Sequence, residues 1–67
     1  MKKEFFSIQS ISDEEDENYV ISTAMQELRS QILTFAKENK FAEIHIMNTE
    51  IRYGPGNISV ICLCILE

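Results

Sequence analysis

Tryptophan is absent from this chain, and its 67 residues hold one proline, one histidine, two glycines and two cysteines. Each scarcity excludes something. With one histidine there is no His pair, and with only Cys62 and Cys64 beside it a four-ligand zinc site is not expected. The two cysteines lie two positions apart in a stretch that reads as strand. At strand rise they are separated by ~6.5 Å, which suits a disulfide poorly, so a reducing, cytoplasmic setting is the simple reading. No glycine-rich loop precedes a helix, so neither a phosphate loop nor a dinucleotide fingerprint is present. No serine lies in a nucleophile-elbow context. The longest unbroken apolar run is Val60 to Leu66, too short to span a bilayer, and "MKKEFFSIQS" has no apolar core of a signal peptide.

Basic residues are also scarce. Six lysines and arginines face eleven acids, for a formal net charge of -5. The excess has one source, the consecutive run Asp13, Glu14, Glu15, Asp16 and Glu17. Outside it six acids balance six bases. No basic patch emerges, so direct nucleic-acid binding is not expected.

What remains is strongly patterned. Lys3 to Ile11 reads as a first strand. "SDEE", Ser12 to Glu15, has the form of a capping box, and acids suit the positive end of a helix dipole. Ile21, Ala24, Met25, Leu28, Ile32, Phe35 and Ala36 then fall in one helical sector, predicting a helix over 15–39 with Asn39 taking a left-handed terminal conformation. Phe41 to Tyr53 and Ile58 to Leu66 read as strands joined through "GPGN", a hairpin with Tyr53 opposite Ile58.

The order β-α-β-β predicts a single α+β domain over 1–67. Its three-stranded antiparallel sheet has the order 1-3-2, because a right-handed crossover places the first strand beside the third. The last strand is then central, which explains why "ISVICLCIL" has almost no polar face. In an unbroken register one face carries His45, Met47, Thr49, Ile51 and Tyr53 with Ile58, Val60, Cys62, Cys64 and Leu66, and the helix covers it. The other face leaves Ile44, Ile46, Ile61, Leu63 and Ile65 in water. That patch calls for a second copy, so these residues are the expected oligomer interface.

The far end of that second face turns polar. Asn48, Glu50, Arg52 and Ser59, with Tyr53 and the hairpin residues Gly54, Gly56 and Asn57, form the candidate ligand site. An arginine fork suits phosphate or carboxylate, and glycine backbone brings amides close to an anion. The plain alternative is an intersubunit Arg52–Glu50 ion pair beside an ordinary turn. No catalytic residue, metal or cofactor is expected.

The short first strand, the acidic helix start, "AMQEL" (Ala24 to Leu28) and the closing "ISVICLCILE" (Ile58 to Glu67) together resemble small β-α-β-β sporulation-type proteins of Gram-positive bacteria and their phages and mobile elements. The topology is also similar to that of dodecins, small flavin-binding oligomers, although the tryptophan that would stack on flavin is missing here. In outline it resembles small phage proteins that capture nucleotide signals of host defence. These resemblances imply small subunits with a ligand site between copies. The expectation is a non-enzymatic homo-oligomer holding a small anionic, nucleotide-type ligand at its interfaces, with blocking of a host defence signal as its role. The alternative is an interaction protein that engages a basic partner protein through the Asp13–Glu17 knob.

Overall fold

A computed structural model describes residues 1–11 and 16–67. Its element order is β1 (Lys2–Ile11), α1 (Glu17–Glu38), β2 (Ile44–Gly54) and β3 (Asn57–Leu66). The sheet is antiparallel throughout with order β1-β3-β2, as the crossover argument requires. Among the described residues no helix is long and apolar enough to cross a membrane.

β3 is the spine. Its even-numbered residues Ile58, Val60, Cys62, Cys64 and Leu66 are buried, and its odd-numbered residues are half-buried. α1 lies on the even side. It presents Val20, Ala24, Leu28, Ile32 and Ala36, each four positions apart. Four residues advance a helix by about 400°, so this contact line winds slowly around the axis. Ile8 of β1 completes the core, with Phe6, Phe35, Phe41 and Ile44 packed at its margin. Ile21 and Phe35, expected in the core, are half-buried, and Met25 is 44% exposed.

The helix sits over β1 and β3 and leaves β2 without cover. Its far end is tied to β1. The rings of Phe6 and Phe35 meet edge to face at 5.4 Å, and the Lys2 ammonium lies 5.4 Å from the Phe35 ring centre. The result is long and thin, 39 × 16 × 14 Å, with a radius of gyration of 12.9 Å. A compact domain of this length is expected near ~11 Å.

The ends of α1 differ from expectation. The helix begins at Glu17 and is capped by Asp16, whose carboxylate accepts from the Asn18 N–H at 3.1 Å. The Ser12–Glu15 capping box lies outside the described residues. At the other end Asn39 keeps a negative φ, and Lys40 takes the left-handed conformation at φ 61°. The Phe41 N–H donates to the Ala36 carbonyl at 2.9 Å and the Lys40 N–H to the Lys37 carbonyl at 3.2 Å. This paired closure needs its left-handed residue one position beyond the cap. Asn39 instead spends its side chain on the Phe35 carbonyl, at 2.8 Å. Phe41 thereby turns into the margin of the core, and β2 starts at Ile44 rather than at Phe41.

The hairpin has a two-residue turn, Pro55–Gly56, with Gly56 at φ 69°. Proline followed by a positive-φ glycine is the pattern of a type II turn. Tyr53 faces Ile58 as expected.

The unbroken register fails farther along β2. Asn48 pairs with Leu63 and Ile46 with Cys64, leaving Met47 without a partner. This β-bulge inverts the phase of everything before it. Ile44 and Ile46 lie opposite Leu66 and Cys64, on the helix side, and His45 moves to the open face. The assignment of Ile44 and Ile46 to the open face is therefore corrected. Ile61, Leu63 and Ile65 remain there, joined by Phe5 of β1, opposite Leu63 and 70% exposed.

Candidate functional site

The sheet has two chemically different sides, and β2 contributes to both. On the open side, Arg52 pairs with Ser59, Glu50 with Ile61 and Asn48 with Leu63. Asn48, Glu50 and Arg52, together with Phe5, Ile61 and Leu63, line a shallow depression of about 310 Å³. Asn48, Glu50, Arg52 and Ser59, grouped from sequence, thus share one face.

Arg52 is not a free anion receptor. Its Nε and Nη2 both donate to Glu50 Oε2, at 3.3 and 3.1 Å. The pair follows from strand geometry, since residues two apart share a face. It lies within one strand, so it needs no second subunit.

The rest of the hairpin group is divided by the sheet. Tyr53 points to the helix side, where its phenol donates to Glu17 Oε1 at 2.6 Å. That bond raises the phenol pKa, and desolvation and the carboxylate charge add to it. At the tip, a Cβ on Gly54 would come within 2.6 Å of the Asn57 side-chain oxygen. Asn57 also donates to the Pro55 carbonyl at 3.3 Å. Gly54 makes room for that side chain, and Gly56 supplies the positive φ, so both glycines are used by the turn itself. Of the acidic run, Asp16 is spent on the helix cap and Glu17 on Tyr53; Asp13, Glu14 and Glu15 lie outside the described residues.

The larger concavity is on the helix side. The helix leaves β2 bare, and a groove of about 690 Å³ runs between them. Ile21, Met25, Leu28, Ile32 and Leu33 form its helix wall, and Ile44, Ile46, Thr49 and Cys62 its sheet wall. Asn18, Ser22, Gln26 and Arg29 complete the lining. Arg29 is exposed and has no ion pair among the described residues. Among the described residues the wall includes no aromatic ring, no histidine and no carboxylate.

Sequence reasoning missed this groove. The signal was present in Arg29 and Leu33, off the main helical stripe, but the bulge hid the contribution of Ile44 and Ile46.

A third cluster lies at the end of the sheet away from the hairpin. Glu43 and Glu67 exchange backbone hydrogen bonds, at 2.8 and 3.0 Å. His45 Nε2 lies 3.2 Å from Glu43 Oε2 and 3.5 Å from Glu67 Oε2. All three side chains are exposed, and their donor atoms lie within 4.8 Å of one another. Like charges opposite each other in a sheet repel, so this corner favours a cation beside it.

The cysteines behave as small core residues. Both are buried, with their sulfurs 3.5 Å apart. Burial first, and the contact with Cys62 second, push the Cys64 thiol up to about 11.

No protein family, no curated protein and no solved structure matches this chain.

Proposed function

We propose that this protein binds a small anionic compound with an aliphatic body, and that the groove between α1 and β2 is its seat. The observation that carries the reading is the combination of an apolar cleft of about 690 Å³ with a cation in its lining, Arg29, that has no ion pair among the described residues. Ligand cavities fall in the range of roughly 300–1,000 Å³ and combine apolar walls with a few placed polar groups. A carboxylate or phosphate head would meet the Arg29 fork while an alkyl body lies along Ile21, Met25 and Leu33.

The nucleotide-type ligand expected from sequence is narrowed by the lining. A base would have no ring to stack on there, and the hairpin arginine is already neutralised by Glu50. Binding is favoured over catalysis because the described residues of the groove include no general acid or base.

Titration with a dansyl-labelled undecanoate, followed by fluorescence, tests the proposal. The wild-type protein should give saturable, blue-shifted binding. Arg29→Gln should weaken it about fivefold, the equivalent of ~1 kcal/mol for one partly exposed charged contact. Met25→Glu should abolish it by placing a charge in the apolar wall. Adenosine monophosphate should compete poorly. Absence of saturable binding, or binding indifferent to both substitutions, overturns the assignment.

A further inference from the structure

The opposite side of the sheet poses a separate problem, independent of the groove. Its middle is apolar: Phe5 on β1 and Ile61, Leu63 and Ile65 on β3. No element of the chain covers it among the described residues, because α1 lies on the other side. Its two long margins are polar but different. The β1 margin carries Lys3, Ser7 and Gln9, and the β2 margin carries His45, Asn48, Glu50 and Arg52, with Glu43 and Glu67 at the end.

The ladder aligns these residues in rows across the sheet. Lys3, Ile65 and His45 share one row, and Phe5, Leu63 and Asn48 the next. Ser7, Ile61 and Glu50 follow, then Gln9, Ser59 and Arg52.

We propose that this face is a homodimer interface in which two copies stack sheet to sheet about a two-fold axis parallel to the strands. That operator lays β3 on β3 and β1 on the β2 of the partner, each row meeting the same row. The aliphatic spine then buries itself. Lys3, exposed and without an ion pair among the described residues, meets the partner's His45 and stands one row from the partner's Glu43. Ser7 meets the partner's Glu50 as a hydroxyl donor, and Gln9 offers its amide oxygen to the partner's Arg52. Every such contact occurs twice by symmetry.

The flat footprint lies close to what a specific interface needs. Three strands at ~4.8 Å spacing and ten residues at ~3.3 Å rise give a footprint of about 480 Å² per copy. Both copies together bury about 950 Å² before side-chain relief is counted, at the ~1,000 Å² threshold of a specific interface. Stacked sheets of two-layer sandwiches keep their strands within ~30° of one another, which this operator permits.

The test uses the full chain in sedimentation-velocity and native mass-spectrometric concentration series. Wild type should dimerise. Leu63→Lys should give a folded monomer by circular dichroism, because Leu63 is only half-buried within its own subunit. Lys3→Glu alone and Glu43→Lys alone should each weaken dimerisation about tenfold, and the double charge swap should restore most of the loss. A monomer at all concentrations, a dimer unaffected by Leu63→Lys, or a swap that fails to rescue would overturn the proposal. Phe5→Cys separates the operators: a two-fold axis across the strands would bring the two copies of residue 5 together and yield a disulfide-linked dimer, against the proposal. Met25→Glu, in the groove, should leave dimerisation unchanged, so failure of the groove reading and failure of this one are read separately.

Discussion

Removing Met47 altogether should leave the fold intact. The ladder pairs β2 with β3 one to one on either side of this residue, and Met47 itself has no partner. Without it Ile46 joins Asn48 directly, the pairing becomes regular, and Ile44 and Ile46 keep their places on the helix side. The energetic terms are small and partly opposed. Ordering one residue costs ~1–2 kcal/mol of backbone freedom, which the deletion recovers. The Met47 side chain is 57% exposed and contributes little packing, while the local twist supplied by the bulge is lost. The expected net change lies between about 0 and 1 kcal/mol in favour of the deletion, read as a melting temperature unchanged or raised by up to ~8 °C. If β2 instead ran without a bulge, Met47 would be a paired residue on the helix side, with Ile44 on the open face. The deletion would then remove that side chain's burial and force residues 44–46 either to exchange faces or to slip their pairing by one. Losing a methionine's burial costs roughly 1.5–3 kcal/mol before any lost pairing is counted. Urea denaturation followed by circular dichroism distinguishes the two. A loss of about 1.5 kcal/mol or more would refute the bulge and, with it, the sheet wall of the groove.

Three further outcomes are expected. Lys40→Gly should raise stability by ~0.5–1 kcal/mol, because Lys40 holds a left-handed φ of 61° that glycine adopts without strain; thermal melts would detect it, and no gain would place the strain elsewhere. Asp16→Ala should cost about 1 kcal/mol by removing the cap on the Asn18 N–H, and Asp16→Asn should recover most of it. Stability should fall at high pH. The Cys64 thiol is held at about 11 in the fold against an ordinary 9.0, so its contribution is complete below pH 9 and is lost as pH rises through 11. Cys64→Ala should flatten that part of a pH-resolved melting series.

Much of the architecture was legible because β3 has no polar face. A strand apolar on both sides must be central, and that alone orders the sheet around it. The turn residues then set the hairpin register from Tyr53 and Ile58 onward. The phase of β2 beyond Met47 was not legible, since Ile44, Ile46 and Met47 are all apolar and either alternation satisfies a hydrophobic count. The groove followed from neither pattern. It depends on where α1 lies across the sheet, which is set by Phe6 and Phe35 meeting at its far end. The Arg52–Glu50 pair was legible as a pair, but it was expected between subunits and forms within one strand, and the Glu43, His45 and Glu67 corner required the ladder to continue past Leu66.

The central position of β3 has a further consequence for how the chain reaches this structure. β1 emerges first from the ribosome, yet its pairing partners are the last to be made: Lys2 meets Leu66 and Ile11 meets Asn57. Closing such long loops delays non-local pairing, while the β2–β3 hairpin closes locally through Pro55 and Gly56. During that interval the edge of β3 destined for β1 is open, and "ISVICLCIL" holds neither a charge nor a proline to discourage another chain from taking the place. The vulnerable species is therefore a hairpin still waiting for its first strand. Slowing the arrival of β1, rather than weakening the finished protein, is the change most apt to drive this sequence into aggregates.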